Sequence, residues 1–354
     1  MPSSNTFVGV VFGGASGEHN VSIKSATTVI QALKGGINAN QFEVHPIYID
    51  LEGHWWPSDI AEKALRKGRA LNQKELPKTS SAFGFKELPL GSEKIQVWYP
   101  ILHGPNGEDG TVQGLFKLIG KPFVGSGVLA SAVGMDKLAM KAAFSSASLP
   151  QVPYCAANAN DLIQKSKKLK LIEKLEFQLG YPCFIKPANL GSSVGISKAC
   201  DREQLLEGLT KAAKLDQRLV IEKAVVAKEL ECAVLGDSND LKASPVGEIC
   251  FESDWYDYET KYSQNSSQAL IPAPLPSKVK ERVQKLTLQA CAAINAKGFA
   301  RVDFFYKEET NELWLNEINT LPGFTSQSMY PMLWKAAGLN LEQLVAKLVA
   351  TARE

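Results

Sequence analysis

Histidine and cysteine, the usual builders of zinc and disulfide centres, are scarce in this chain: four and six among 354 residues. Cys155, Cys183, Cys200, Cys232, Cys250 and Cys291 are scattered, with no CxxC spacing and no neighbouring histidine cluster, so a zinc site of ordinary pattern is excluded. Reduced thiols within the core are expected instead. No run approaches the ~20 apolar residues that cross a bilayer. Met1 to Thr6 holds no Lys or Arg ahead of the short apolar run at 7–12, so no export signal is expected and the cytoplasm is the expected location. Charge of one sign is lacking too: Lys and Arg number 39 against 37 Asp and Glu, a net of +2, which favours neither nucleic acid nor a membrane as partner. Internal repeats and low-complexity tracts are absent. What is present is an ordinary globular composition, 45% hydrophobic and 21% charged, long enough for two or three domains.

The first hundred residues alternate strand and helix signals. Residues 7–12 (FVGVVF) form a continuous β-branched and aromatic run, which predicts a strand buried on both faces of a parallel sheet. Apolar residues at Ile23, Ala26, Val29, Ile30 and Leu33 predict a helix over 22–33. Strands follow at 43–49 and 96–102, the pattern of a doubly wound, Rossmann-like sheet, with connecting surface and one helix between 57 and 91. A second unit predicts helices at 136–145 and 159–179, strands at 182–187 and 219–222, and a Gly/Ser loop at 189–195. A third predicts strands at 229–235, 243–251, 300–306 and 313–318 and helices at 277–296 and 340–352. The expected division is 1–125, 126–222 and 223–354. Residues 252–271 lack any period, and a loop of that length inside a compact domain is expected to be either a functional lid or disordered.

Four segments carry candidate chemistry. Gly13-Gly14-Ala15-Ser16-Gly17-Glu18 lies between a strand and a helix but is not GxGxxG, so it reads either as an anion-binding turn or as a plain tight turn. Glu18 there could hold a substrate ammonium or favour the helix dipole. The loop from His103 to Thr111, rich in glycine and acid, falls on the same sheet edge, and His103 reads equally as a structural hydrogen bond or a substrate contact. Lys186 ends a strand ahead of Gly191-Ser192-Ser193-Val194-Gly195. A lysine buried there needs an anion, and phosphate is the natural partner, although the order is not that of a Walker A loop. Finally, Arg301 and Asp303 share one face of a strand, as do Glu317 and Asn319 on the next. If those strands pair, oxygen ligands converge beside a guanidinium, a donor set that suits Mg²⁺ completed by substrate phosphates.

In order along the chain, these segments resemble the motifs of the D-alanine:D-alanine ligases of the ATP-grasp superfamily. They are Phe12 to Ser22, His103 to Gly114, Gly125 to Lys137, Lys186 to Gly195, Tyr256 to Tyr262 and Asn316 to Ser328. The resemblance implies an N-terminal pre-ATP-grasp domain followed by a two-part ATP-grasp fold, α/β and α+β together. It also implies a reaction in which one D-alanine carboxylate attacks ATP and the resulting acylphosphate is captured by the amine of a second D-alanine. Lys137, Lys186, Ser193, Glu222, Lys223, Val225, Glu229 and Lys261 are thereby expected around ATP. Asp303, Glu317 and Asn319 are expected on two Mg²⁺ ions, which Mn²⁺ could replace. Glu18, Ser192 and Tyr262 would form a closing network, Arg301 and the N–H of Gly323 the oxyanion site, and His103, Ser328 and Met329 the remaining substrate contacts. Met329 departs from the commoner leucine. A homodimer in peptidoglycan precursor synthesis is implied, with no nucleic-acid or membrane partner. Tyr262 favours the dipeptide over a D-alanyl-D-lactate ester, the first alternative. The second, a nucleotide-binding protein without activity, would have lost metal or lid residues.

Overall fold

The computed structural model describes residues 5–77, 88–191, 193–237, 239–251 and 267–353. The first sheet contains β1 (Thr6–Gly13), β2 (Phe42–Ile49), β3 (Trp55–Trp56) and β4 (Val97–Ile101), in the order β3-β2-β1-β4. β1 runs parallel to β2 and β4, with β3 antiparallel at the edge. Val8, Val10, Val11 and Phe12 are fully buried, as a strand covered on both faces requires. Helix α1 (His19–Lys34) covers one face with Ile23, Ala26, Val29, Ile30 and Leu33. It starts three residues before the apolar period because the Ser22 N–H already bonds the carbonyl of Glu18. The helix expected between 57 and 91 is α2 (Ser58–Lys67), closed by Gly68 in the left-handed region.

Three helices, α3 (Thr111–Leu118), α4 (Val128–Met135) and α5 (Lys137–Ser146), lead to the second sheet. Asp136 caps α5 by accepting from the Ala139 N–H at 2.8 Å. That sheet has the order β5-β8-β6-β7 from β5 (Tyr154–Asn158), β6 (Cys183–Pro187), β7 (Ser197–Ala199) and β8 (Arg218–Lys223). Helices α6 (Lys165–Leu179) and α7 (Arg202–Ala212) bury Leu171, Leu175, Leu205 and Leu209 against Ile185, Leu219 and Ile221. The helix expected over 159–179 is corrected at its start. Ala159–Leu162 is a separate 3-10 turn, because the Asn158 side chain accepts from the Asn160 N–H and the Ala159 N–H is tied to the carbonyl of Gln217, just ahead of β8.

The third sheet is antiparallel, in the order β11-β10-β9-β12-β13, from β9 (Lys228–Gly236), β10 (Lys242–Phe251), β11 (Ser267–Leu270), β12 (Gly298–Lys307) and β13 (Glu312–Asn319). Helix α8 (Ser277–Ile294) buries Val283, Leu286 and Ala290 against one side. Helices α9 (Met329–Ala336) and α10 (Leu341–Arg353) complete the chain, and α10 returns to pack on α1 and β4. Core residues of the first sheet therefore join Phe299, Leu321, Phe324, Tyr330 and Leu344 in one cluster. Phe299 is its hinge point, with ring centroids of Tyr99, Phe324 and Tyr330 at 6.4, 6.0 and 5.3 Å. Nearby, Gly298 at φ +77° passes so close to Gly125 that an added Cβ would lie 2.8 Å from the Gly125 Cα. The buried cysteines Cys155, Cys183, Cys232 and Cys291 are free thiols, and so are Cys200 and Cys250. Among the described residues no helix is long and apolar enough to cross a membrane.

Candidate active site

The turn after β1 is built so that Glu18 leaves it toward the other loops. Gly13 lies at φ +97°, where an added Cβ would sit 2.1 Å from the carbonyl oxygen of Ile49, so only glycine fits. Its N–H donates to Ser22 Oγ at 2.7 Å, and the Gly14 N–H donates to Ile49 O. His19 braces the turn from behind: Nδ1 donates to Gly14 O at 2.7 Å and Nε2 lies 3.0 Å from the Tyr48 hydroxyl. Burial pushes the pKa of His19 down, against smaller upward effects of Gly14 and Asp50. Glu18 Oε2 then sits 3.2 Å from where a Cβ on Gly104 would project and 3.5 Å from that on Gly191. One carboxylate thus stands where three loops of widely separated sequence meet.

His103 is buried, and both ring nitrogens are engaged by protein. Nδ1 is 3.1 Å from the carbonyl of Leu321, which can only accept, so Nδ1 carries the proton. The neutral Nε2 accepts from Ser25 Oγ at 3.3 Å, and the same hydroxyl accepts from the Phe324 N–H at 3.2 Å. Burial lowers the pKa of His103, opposed by Glu18 and the Leu321 bond. Of the two readings open for this residue, the structural hydrogen bond is the one displayed. The ring ties the first sheet's edge to the 321–324 turn. The acids of its loop build the loop itself: Glu108 accepts from the Gly104 N–H, and Asp109 from the N–H groups of Asn106 and Thr111.

Lys137, first residue of α5, spans to the Gly/Ser loop, its Nζ donating to Leu190 O at 2.6 Å. Burial pushes its pKa down, partly offset by Glu317. Lys186 meets an anion, as its burial demands, and that anion is a protein carboxylate: Nζ lies 2.6 Å from Glu222 Oε2. The other oxygen of Glu222 is 2.8 Å from Nζ of Lys141, a residue the sequence reading missed. The available signal was its place one helical turn after Lys137. Burial alone would raise the Glu222 carboxyl, but the two ammonium groups hold it well below the usual carboxylate range. Burial would likewise lower Lys186, and Glu222 reverses this.

The strands bearing the expected metal ligands do pair. Asp303 is opposite Glu317, and Arg301 is opposite Asn319. Asp303 is also opposite Glu231 on β9, a second residue missed from sequence; its spacing of two from Glu229 in an apolar strand was the clue. Arg301 donates to both oxygens of Asp303 at 2.7 Å and lies 2.8 Å from Glu231 Oε2. Asn319 Nδ2 donates to Asp303 Oδ2 at 3.0 Å. These carboxylates and the Glu317 charge hold the guanidinium protonated despite its burial. Among the described residues no three His, Cys, Asp or Glu surround a common metal position. Two carboxylates and an amide instead fit a hard cation that takes its remaining ligands from phosphate and water.

The remaining expected residues are dispersed around this centre. Ser328 Oγ accepts from the Thr325 N–H at 3.0 Å and lies 3.1 Å from where a Cβ on Gly323 would project, so Gly323 and Ser328 are neighbours. Met329 is buried, its Cε against Gly247, and so belongs to the core. Lys223 is exposed at the end of β8 with its N–H bonded to Pro153 O; Val225 is half-buried between β8 and β9, and Glu229 half-buried on β9. Ser193 takes a left-handed conformation at φ +59°. Ser192, Lys261 and Tyr262, and most of the expected lid, lie outside the described residues; the loop expected to run to 271 is corrected at its end, where Ser267–Leu270 is β11, paired to β10 by backbone hydrogen bonds.

Comparison with known proteins bears directly on this arrangement. Residues 7–126 match the family model described as D-ala D-ala ligase N-terminus, and residues 143–350 the one described as D-ala D-ala ligase C-terminus. The chain is 63% identical over 354 residues, all of both sequences, to a D-alanine–D-alanine ligase of Prochlorococcus marinus (strain MIT 9313). It is similar in structure to the VanG D-Ala:D-Ser ligase from Enterococcus faecalis (33% identity, TM-score 0.81, 99% of this chain and 100% of that one). It is also similar to the D-alanine–D-alanine ligase from Coxiella burnetii (28% identity, TM-score 0.79, 99% and 94% of the two chains).

Proposed function

The chain belongs to the D-alanine–D-alanine ligase family, and from that premise we propose how its residues share the work of joining two D-alanines at the expense of ATP. The product dipeptide is a peptidoglycan precursor, and the reaction uses ATP with metal ions. In the proposed sequence, a carboxylate oxygen of the first D-alanine bonds to the γ-phosphorus while the bond to the ADP oxygen breaks. The amine of the second D-alanine then attacks the acyl carbon, loses a proton and expels phosphate.

Glu18 holds the ammonium of the first substrate; its position at the meeting of the 13–18, 103–110 and 189–195 loops is the observation that supports this reading most. Arg301 and the N–H of Gly323 stabilise the developing oxyanion, and Ser328 holds the second carboxylate beside Gly323. Lys137 and Lys186 hold phosphates, with Ser193, Glu222, Lys223, Val225 and Glu229 around the nucleotide. Asp303, Glu317 and Asn319 would hold two Mg²⁺ ions, or Mn²⁺, which neutralise phosphate charge when bound. Lys261 and Tyr262 close the site, Tyr262 reaching Ser192 and Glu18, and shield the acylphosphate from water. His103 acts through Leu321 and Ser25 to set the 321–324 turn, and Met329 acts as its packing support. The units 1–125, 126–222 and 223–354 enclose the shared cleft, and the enzyme works as a cytoplasmic homodimer.

The test is phosphate release on mixing the protein with ATP, Mg²⁺ and D-alanine. Release that depends on D-alanine and yields the dipeptide is expected. Release without D-alanine dependence, or a preference for D-lactate or D-serine as acceptor at neutral pH, would overturn the substrate assignment.

A further inference from the structure

The acid that holds Lys186 in place also cancels its charge, which a phosphate-binding lysine cannot spare. Glu222 is 3% exposed, and the ion pair at 2.6 Å leaves Lys186 with a full negative charge against its ammonium. The second lysine on that carboxylate resolves the difficulty. Lys141 is 1% exposed, lies 2.8 Å from the opposite carboxylate oxygen, and rests 5.1 Å from the centre of the Tyr154 ring. Its place follows from the secondary structure: α5 puts it on the face of Lys137, one turn further into the protein. On the sheet, Glu222 pairs with Phe184, two residues from Lys186, so both project to the same side.

We infer that Lys141 is a positioning residue for nucleotide binding, which neutralises Glu222 so that Lys186 is fixed in geometry yet contributes an uncompensated positive charge to the phosphates. Two ammonium groups and one carboxylate leave a net single positive charge in the cluster. Without Lys141 the net is zero, although every residue proposed to contact ATP is still present. Burying a third charge is otherwise unfavourable, and packing alone would be served as well by an apolar side chain of similar length. The inference rests on the proposal that Lys186 binds phosphate.

The experiment measures ATP affinity by calorimetry and kcat and KM separately, on the full chain, for Lys141→Met, Lys141→Met/Glu222→Gln and Lys186→Met. Lys141→Met is expected to weaken ATP about tenfold or more, the effect of one charge at low effective dielectric, and to raise KM more than it lowers kcat. The double variant restores the net single charge and, although it gives up Glu222 itself, should bind ATP more tightly than Lys141→Met, by the same Coulomb argument. Should Lys141→Met not fold, Lys141→Gln, whose amide can still reach Glu222 without a charge, takes its place. Wild-type affinity in the single variant would overturn the role of Lys141. Unchanged ATP affinity in Lys186→Met would instead overturn the phosphate assignment beneath it.

Discussion

Arg301 and Asp303, two residues apart on β12, close on each other through two parallel hydrogen bonds of 2.7 Å. The guanidinium is thereby fixed in plane, with Glu231 2.8 Å from Nε on the neighbouring strand. A planar, bidentate group cannot be replaced by a point charge without loss of aim. Arg301→Lys should therefore lower kcat by about 10²- to 10³-fold, the range for loss of an oxyanion donor, with the fold intact by circular dichroism. ADP release at saturating D-alanine measures it.

The same pair sets the metal requirement. Asp303→Asn keeps the shape and the Arg301 contact on one oxygen but removes an anionic ligand. The Mg²⁺ concentration for half-maximal activity should rise about 10- to 100-fold, comparable to other losses at metal sites. A titration of activity against Mg²⁺ that superimposes on the wild type would remove Asp303 from the proposed ligand set.

His103 and His19 are buried with pKa values pushed down, so each is neutral in the folded chain where it would begin to protonate when unfolded. The unfolded chain then binds more protons below the ordinary histidine value of about 6.5. Their contribution to stability is full above that pH and falls as the pH drops below it. Thermal midpoints measured from pH 7.5 to 5.5 should decline, and the decline should be shallower in His103→Gln, whose amide carries no titrating proton.

Glu222 acts with the same sign in a more acidic window. Its carboxyl is held low by Lys141 and Lys186, so its stabilising effect is complete above the ordinary carboxylate value and is lost only as the pH falls through the acid range below it. Glu222→Gln at neutral pH strands two buried ammonium groups. A loss of about 3–5 kcal/mol is expected in urea unfolding, larger than for the charge-matched Lys141→Met/Glu222→Gln chain.

Phe299 couples the first sheet to the 321–324 turn through Tyr99, Phe324 and Tyr330. Phe299→Ala should cost about 3–5 kcal/mol in denaturant unfolding. It should also reduce kcat, because the Phe324 N–H that bonds Ser25 sits on the turn bearing Gly323. Full activity in a destabilised variant would show that the turn is held by other contacts.

Much of this was decided along the chain itself. The apolar run of β1, the period of α1 and the matched i, i+2 pairs Arg301/Asp303 and Glu317/Asn319 are local patterns, and local patterns specify strands, helices and the faces that side chains share. The 3-10 turn at Ala159–Leu162 broke an expected helix partly because its first N–H, that of Ala159, goes to Gln217, far away in sequence. The same distance hid the partners of the charged residues. Sequence indicated that Lys186 needs an anion, but only the pairing of β6 with β8 and the seating of α5 show that the anion is Glu222 and that Lys141 shares it. His103 was ambiguous because a histidine's role depends on what meets its two nitrogens, and both partners, Ser25 and Leu321, arrive through tertiary packing. Spacing fixes which way side chains project within one element; which charges finally meet is fixed by long-range packing, since burial enforces pairing without regard to distance along the chain.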